Sequence, residues 1–235
     1  MSEKYNAALG AFNKIKDISG TLNIGIGTGS TTDIFTEHFL PKLRERIKSL
    51  YSSSIRTTEL LNKLNFNINE GEPEKILDIY IDGADEVDKG LNLIKGGGGA
   101  HTNEKIIAAS ADYFICIIDP SKLVENLGQF PLPVEVSLKY KDEIIRQLHK
   151  YTSQITTRDE LSDNGNVLLD LHGMQIFKPL EMENELNSIK GIIEVGIFAK
   201  NKPQLVVVGN NDNYRLIESW IALIIFGSLG SILCE

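Results

Sequence analysis

The sequence predicts an α/β protein: a Rossmann-like parallel sheet domain with an inserted ferredoxin-like α+β domain. Three observations point there. Helical and strand patterns alternate through the first half of the chain, which argues for a parallel sheet covered on both faces. Beyond Pro131 and Pro133 the order becomes β-α-β-β-α-β, the ferredoxin-like arrangement. A strand-like run at Gln204–Val208 then reads as a return to the first sheet. The smaller domain, residues 130–202, is therefore expected as an insertion into a domain built from 1–129 plus 203–235. A chain of 235 residues with 42% hydrophobic and 24% charged residues can bury a core of this size and is composed like a globular protein.

Taken in order, the patterns predict a helix over Glu3–Lys16, a strand at Thr21–Ile26, a glycine-rich turn and a helix over Thr31–Leu40. SLYSSS (49–54) reads as a short strand and TTELLNKLNF (57–66) as a helix. DIYIDGAD (78–85) is a strand entering a loop, EKIIAASA (104–111) a helix, and YFICIID (113–119) an uninterrupted apolar strand buried on both faces. The second domain reads as a strand from Val134, a helix over Lys141–Tyr151 and a strand pair around Asp163-Asn164-Gly165-Asn166, where Asn-Gly is a strong hairpin signal. A helix at Pro179–Ser188 and a strand at Ile192–Ala199 complete it. Residues 220–234, WIALIIFGSLGSILC, are uncharged and apolar but shorter than the roughly 20 residues that span a bilayer, so they are expected to pack against the body or a partner subunit.

A net charge of -8 disfavours nucleic acid as a partner, and an anionic ligand would need a local positive site. Cys116 reads as a core residue, and with Cys234 so distant neither a metal nor a redox motif is suggested. The N-terminal stretch mixes charged and apolar residues, unlike a signal peptide, which makes the expected location cytoplasmic.

Three loop motifs carry the chemistry. In Lys95-Gly96-Gly97-Gly98-Gly99, four consecutive glycines are costly to order, and they open into a helix pattern rather than a long linker. Bare backbone beside a cation brings N–H groups close to an anion. Gly25-Ile26-Gly27-Thr28-Gly29-Ser30-Thr31 follows a strand and opens a helix, offering backbone donors and three hydroxyls. Ser30 breaks the dinucleotide fingerprint and no Walker lysine follows; alone, this loop fits a structural turn with an N-cap equally well. Asp82-Gly83-Ala84-Asp85-Glu86 places carboxylates after a strand in a pattern unlike an EF-hand, favouring hydrogen bonds to a hydroxylated ligand. In such sheets, ligands sit beyond the carboxyl ends of the strands, so the motifs should converge. Glu104 follows Thr102, a plausible N-cap, in a first helical turn. A carboxylate base beside Lys95 and backbone donors is equipped to remove a proton alpha to a carbonyl. His101 has a place near the site open to it, but reads as loop-exposed.

These strings, with YSSS, DGADEVD, IKGGGGAHTNEKII, DPSKLVENLG, FPLPVEV, DNGNVLLDLHGM and the run ending IFAK, resemble the type A ribose-5-phosphate isomerases. The resemblance runs from the first helix to about Gly209. It implies interconversion of D-ribose 5-phosphate and D-ribulose 5-phosphate in the non-oxidative pentose phosphate pathway, through an enediolate, without metal or organic cofactor, and a homodimer. It further implies that Glu104 carries the proton between C1 and C2, that Lys95 and the glycine backbone stabilise the enediolate oxygen, and that Asp82 and Asp85 bind hydroxyls and assist ring opening. Thr28, Gly29, Ser30, Thr31, Gly83, Ala84, Gly96, Gly97, Gly98 and Lys122 would supply the remaining ligand contacts. A DeoR-type sugar-phosphate sensor would need a helix-turn-helix, for which too few residues precede the first strand. A coenzyme A transferase would need a longer chain, and a pure interaction module leaves three ligand-type loops unexplained.

Overall fold

The computed structural model describes residues 2–73 and 76–218. The expected packing of the apolar run 220–234, with Cys234, and of residues 219–235 in the first domain lies outside the described residues. The chain runs through α1 (Glu3–Ile15), β1 (Leu22–Ile26), α2 (Ser30–His38), β2 (Ile47–Ser52), α3 (Ile55–Lys63) and β3 (Ile79–Asp82). It continues with β4 (Glu86–Val87), β5 (Leu93–Ile94), α4 (His101–Ala109), β6 (Phe114–Ile118), β7 (Leu132–Val136) and α5 (Lys141–Leu148). Then come β8 (Ile155–Thr157), β9 (Val167–Leu171), α6 (Pro179–Asn187), β10 (Ile192–Val195), β11 (Ile197–Phe198), β12 (Leu205–Gly209) and β13 (Tyr214–Glu218).

The main sheet has the order β13-β12-β6-β3-β1-β2 and is parallel except for β13, which pairs antiparallel with β12. Its central strands β3, β6 and β12 are buried along their whole length, which is why they read as continuous apolar runs. Alternate residues feed two cores. Ile115 and Ile117 face the side holding Ala7, Ala11, Phe35 and Leu61 of α1, α2 and α3, while Phe114, Cys116 and Ile118 face Ile107 and Ala108 of α4. The second face is only partly helical. A small sheet, β11-β5-β4, completes it with Leu93 and Phe198; its strands are two residues long, too short for any periodicity to announce them. α1 lies very close to β12: a Cβ on Gly209 would stand 1.9 Å from Glu3 O.

The second unit is an antiparallel sheet, β10-β7-β9-β8, with Ile144 and Leu148 of α5 and Leu186 of α6 in its core. Glu135, on the opposite face of β7 from the core residues Val134 and Val136, accepts from Thr102 of α4, so the other side of this sheet meets a helix of the first unit. The expected strand Ile192–Ala199 is in fact two. It breaks at Gly196, where β10 leaves the antiparallel sheet and β11 joins the small one. Only glycine fits there, since a Cβ would sit 2.3 Å from Lys95 O. Asn164-Gly165 does not close a two-residue hairpin either. Only Gly165, not Asn164, has a positive φ, whereas a type I′ turn needs both; the pair instead ends a turn in which Gly165 N donates to Ser162 O at 2.8 Å. Among the described residues no helix is long and apolar enough to cross a membrane.

Candidate active site

The loops after β1, β3 and β6 meet the glycine run before α4 around a cavity of about 180 Å3. Thr28, Gly29, Ser30, Thr31, Gly83, Ala84, Asp85, Lys95, Gly96, Gly97, Gly98, Glu104 and Lys122 all line it. The three motifs do converge, at the carboxyl ends of the parallel strands.

Asp82 is the exception. It is fully buried and stands behind the cavity wall: Oδ1 accepts from Thr28 N at 2.8 Å and Gly83 N at 2.7 Å, while Oδ2 accepts from the Tyr80 hydroxyl and pairs with Lys95 Nζ at 2.7 Å. With both oxygens hydrogen-bonded within the protein, Asp82 fixes Lys95 and the Thr28 turn from behind the wall. Gly27 is required by the same packing, because a Cβ there would lie 1.8 Å from Asp82 Cγ.

Lys95 Nζ donates to Gly83 O at 2.8 Å and lies 3.2 Å from Glu104 Oε2. Burial works against its charge, but Asp82 and Glu104 more than offset this and raise its pKa, so the ammonium is permanent. Glu104 is the reverse case. It is 3% exposed, and burial pushes its carboxyl up to about 8, opposed by Lys95 and reinforced by Asp82. Among the described residues its side chain is met by no donor other than the Lys95 ammonium. A carboxylate on a cavity wall, met by one fixed cation and raised toward neutral pH by burial, is chemically suited to accept a proton.

Asp85 also sits on the wall, raised by burial and opposed by the Gly97 N–H that its Oδ2 accepts at 2.8 Å. That bond, and the Gly99 N–H donated to Gly96 O at 3.0 Å, take two of the glycine donors out of play. The glycine run therefore does not present four free N–H groups, and Gly99 does not line the cavity. The helix termini carry the remaining polarity. Neither α2 nor α4 has a side-chain cap: Gly29 and Ala100 occupy the N-cap positions. Thr102 is not the cap expected of it, because its hydroxyl is drawn to Glu135 of the second unit.

A model of the family described as ribose 5-phosphate isomerase A (phosphoriboisomerase A) matches residues 49–213. A ribose-5-phosphate isomerase A of Francisella tularensis is 43% identical over 206 residues, covering 87% of this chain and 92% of the relative. The chain belongs to the ribose 5-phosphate isomerase A family. The structures agree. That of the Neisseria gonorrhoeae ribose 5 phosphate isomerase A superposes with a TM-score of 0.85 at 38% identity, covering 92% of this chain and 97% of that one. A D-ribose-5-phosphate isomerase solved in complex with phospho-erythronic acid gives 0.83 at 37% identity, covering 92% and 98%.

In this member of the isomerase A family, sequence reading missed Lys4, Arg56, Asp119 and Arg158 and misplaced His101. Lys4 on α1 lines the cavity and donates to Ser30 Oγ at 2.7 Å; a lone lysine in an N-terminal helix gives no sign of meeting a residue so far along the chain. Arg56, paired with Asp33, and Asp119 also line it. His101 is fully buried instead of loop-exposed, packed on Gly96 with Nε2 donating to Glu194 O at 3.2 Å. Burial pulls its pKa down to about 4, so the ring is neutral. Arg158, from the second unit, reaches the glycine run from outside the cavity.

Proposed function

We propose that this chain is an aldose–ketose isomerase that interconverts D-ribose 5-phosphate and D-ribulose 5-phosphate through an enediolate, in the non-oxidative pentose phosphate pathway. The observation that carries this is the buried pair in which Glu104, raised to about 8, faces the cavity 3.2 Å from the fixed Lys95 ammonium. Membership of the isomerase A family and the phospho-erythronic acid bound by a similar structure support the same substrate class.

In the forward direction, Glu104 removes the C2 proton of the open-chain aldose. The electron pair forms the C1–C2 double bond, negative charge develops on O1, and Lys95 stabilises it. Glu104 then returns the proton to C1 as the ketone forms at C2, with Asp85 moving the hydroxyl proton between the oxygens and assisting ring opening. Asp82 acts by holding Lys95. The phosphate takes the uncapped N-terminus of α2 at Gly29, Ser30 and Thr31, with Lys4 and Lys122 as counter-charges. Every charge that develops meets a protein group, so the scheme uses neither metal nor organic cofactor. We read residues 130–202 as a ferredoxin-like domain inserted between 1–129 and 203–235, and the protein as a cytoplasmic homodimer with no nucleic-acid or membrane partner. A direct assay tests the function: ketose should form from D-ribose 5-phosphate at a rate that EDTA leaves unchanged. No conversion would sink the assignment, and loss of activity with EDTA would sink the metal-free scheme.

A further inference from the structure

Arg158 follows β8 in the second unit and uses its whole guanidinium. Nε and Nη2 donate to Asp170 Oδ2 and Oδ1 at 2.8 and 2.7 Å, a bidentate pair, while Nη1 donates to Gly96 O at 3.0 Å and Gly97 O at 3.1 Å. A trans peptide points its C=O and N–H in opposite directions, and no peptide in the described chain is cis. Fixing the Gly96 carbonyl on Arg158 therefore turns the next N–H, that of Gly97, the other way, where Asp85 accepts it at 2.8 Å. Fixing the Gly97 carbonyl likewise turns the Gly98 N–H away from Arg158. Gly98 lines the cavity and Arg158 does not.

We propose that Arg158, anchored by Asp170, is a positioning residue for the isomerisation: by holding two carbonyls it aims the Gly98 N–H at the enediolate oxygen and holds Asp85 in place through Gly97. This rests on the site reading given above. It also bears on two of the glycines: a Cβ on Gly97 would lie 2.9 Å from Asp85 Oδ1, and one on Gly96, whose φ is 105°, would lie 2.7 Å from His101 Nδ1, so neither position has room for a side chain. Lysine cannot substitute for arginine, since one ammonium cannot span a bidentate carboxylate and two carbonyls.

The test compares Arg158→Met, Arg158→Lys, Asp170→Ala and the Met/Ala double variant with wild type. Readouts are kcat, KM, the inhibition constant of phospho-erythronic acid, whose carboxylate imitates the two enediolate oxygens, and thermal unfolding. Arg158→Met should lose about tenfold or more in kcat with KM changed by less than about threefold, and inhibitor affinity should fall in step with kcat. Arg158→Lys should recover little. Asp170→Ala should lose several-fold, and the double variant should be no worse than Arg158→Met, because both act through one guanidinium. Folded Arg158→Met with kcat within about twofold of wild type, or losses at Arg158 and Asp170 that simply multiply, would overturn the proposal. If Arg158→Met does not fold, Asp170→Ala decides alone: wild-type kcat and inhibitor affinity in that variant would overturn it too. The site reading fails separately, through an active Glu104→Gln enzyme; inactive Glu104→Gln beside wild-type Arg158 variants removes only the clamp.

Discussion

Lys95 and Lys105 stand ten positions apart, both buried, and each faces two carboxylates, yet they are built for different ends. Lys105 is closed. Its Nζ donates to Glu183 and Glu194 at 2.8 Å and to the carbonyls of Val195 and Ile197 at 2.8 and 2.7 Å, tying α4 to the broken strand around Gly196. Lys95 is open. One partner, Asp82, is saturated by the protein, but the other, Glu104, lines the cavity and is met by no donor besides Lys95 among the described residues. A saturated buried ion cluster holds elements together, whereas an unsaturated one stores capacity to take a proton, and the difference lies in how many acceptors and donors the surroundings leave over.

The comparison can be broken at either end. The largest effect is expected from Glu104→Gln, which should lower kcat by on the order of a thousandfold while phospho-erythronic acid still binds; single-turnover rates and calorimetric titration measure the two. A rate near wild type would remove Glu104 as the base. Lys105→Met should instead strike stability, costing roughly 3–5 kcal/mol in denaturant unfolding because Glu183 and Glu194 are left buried without their cation. An unfolding midpoint unchanged from wild type would show that the closed cluster ties nothing.

His101 sharpens the contrast at the boundary between the clusters. Its folded pKa of about 4 lies below the ordinary histidine value of 6.5, so the unfolded chain binds the proton first. The stabilisation from the neutral ring is complete above pH 6.5 and is lost as the pH falls toward about 4. His101→Leu should flatten that decline by up to roughly 3 kcal/mol in unfolding measured across the window, and an unchanged slope would count against a neutral buried ring. The smallest effect is in the pH–rate profile. Glu104 must be ionised to act, and its carboxyl titrates at about 8, so kcat/KM should fall about tenfold per unit as the pH drops below that value. A profile flat through that range would contradict the raised carboxyl.

Much of this was legible in the chain. The apolar runs of β3, β6 and β12 announce a doubly covered parallel sheet because both faces of each strand are buried. GIGTGST and DGADE, each directly after a strand, and the glycine run opening into a helix announce a ligand site because their residues suit a ligand better than a core. The errors share a cause. Thr102 looks like an N-cap, His101 like a loop residue and Ile192–Ala199 like one strand only while the second unit is out of view. Glu135 claims the Thr102 hydroxyl, Glu194 O and Gly96 enclose the imidazole, and Lys95 O leaves room only for a glycine at 196.

By itself, the sequence determined the parallel-sheet class and the residues of the three loops, and it singled out Glu104 and Lys95 as the proposed base and cation, since those depend on local pattern and on side-chain chemistry. The tertiary structure decided which groups are exposed and which are spent. It placed Asp82 behind Lys95 instead of in the cavity, brought Lys4 from α1 to Ser30, turned two glycine carbonyls onto Arg158, and left Glu104 with Lys95 as its one donor among the described residues. The physical reason is that desolvation and hydrogen-bond satisfaction are set by every neighbour in space, and most of those neighbours are remote in sequence.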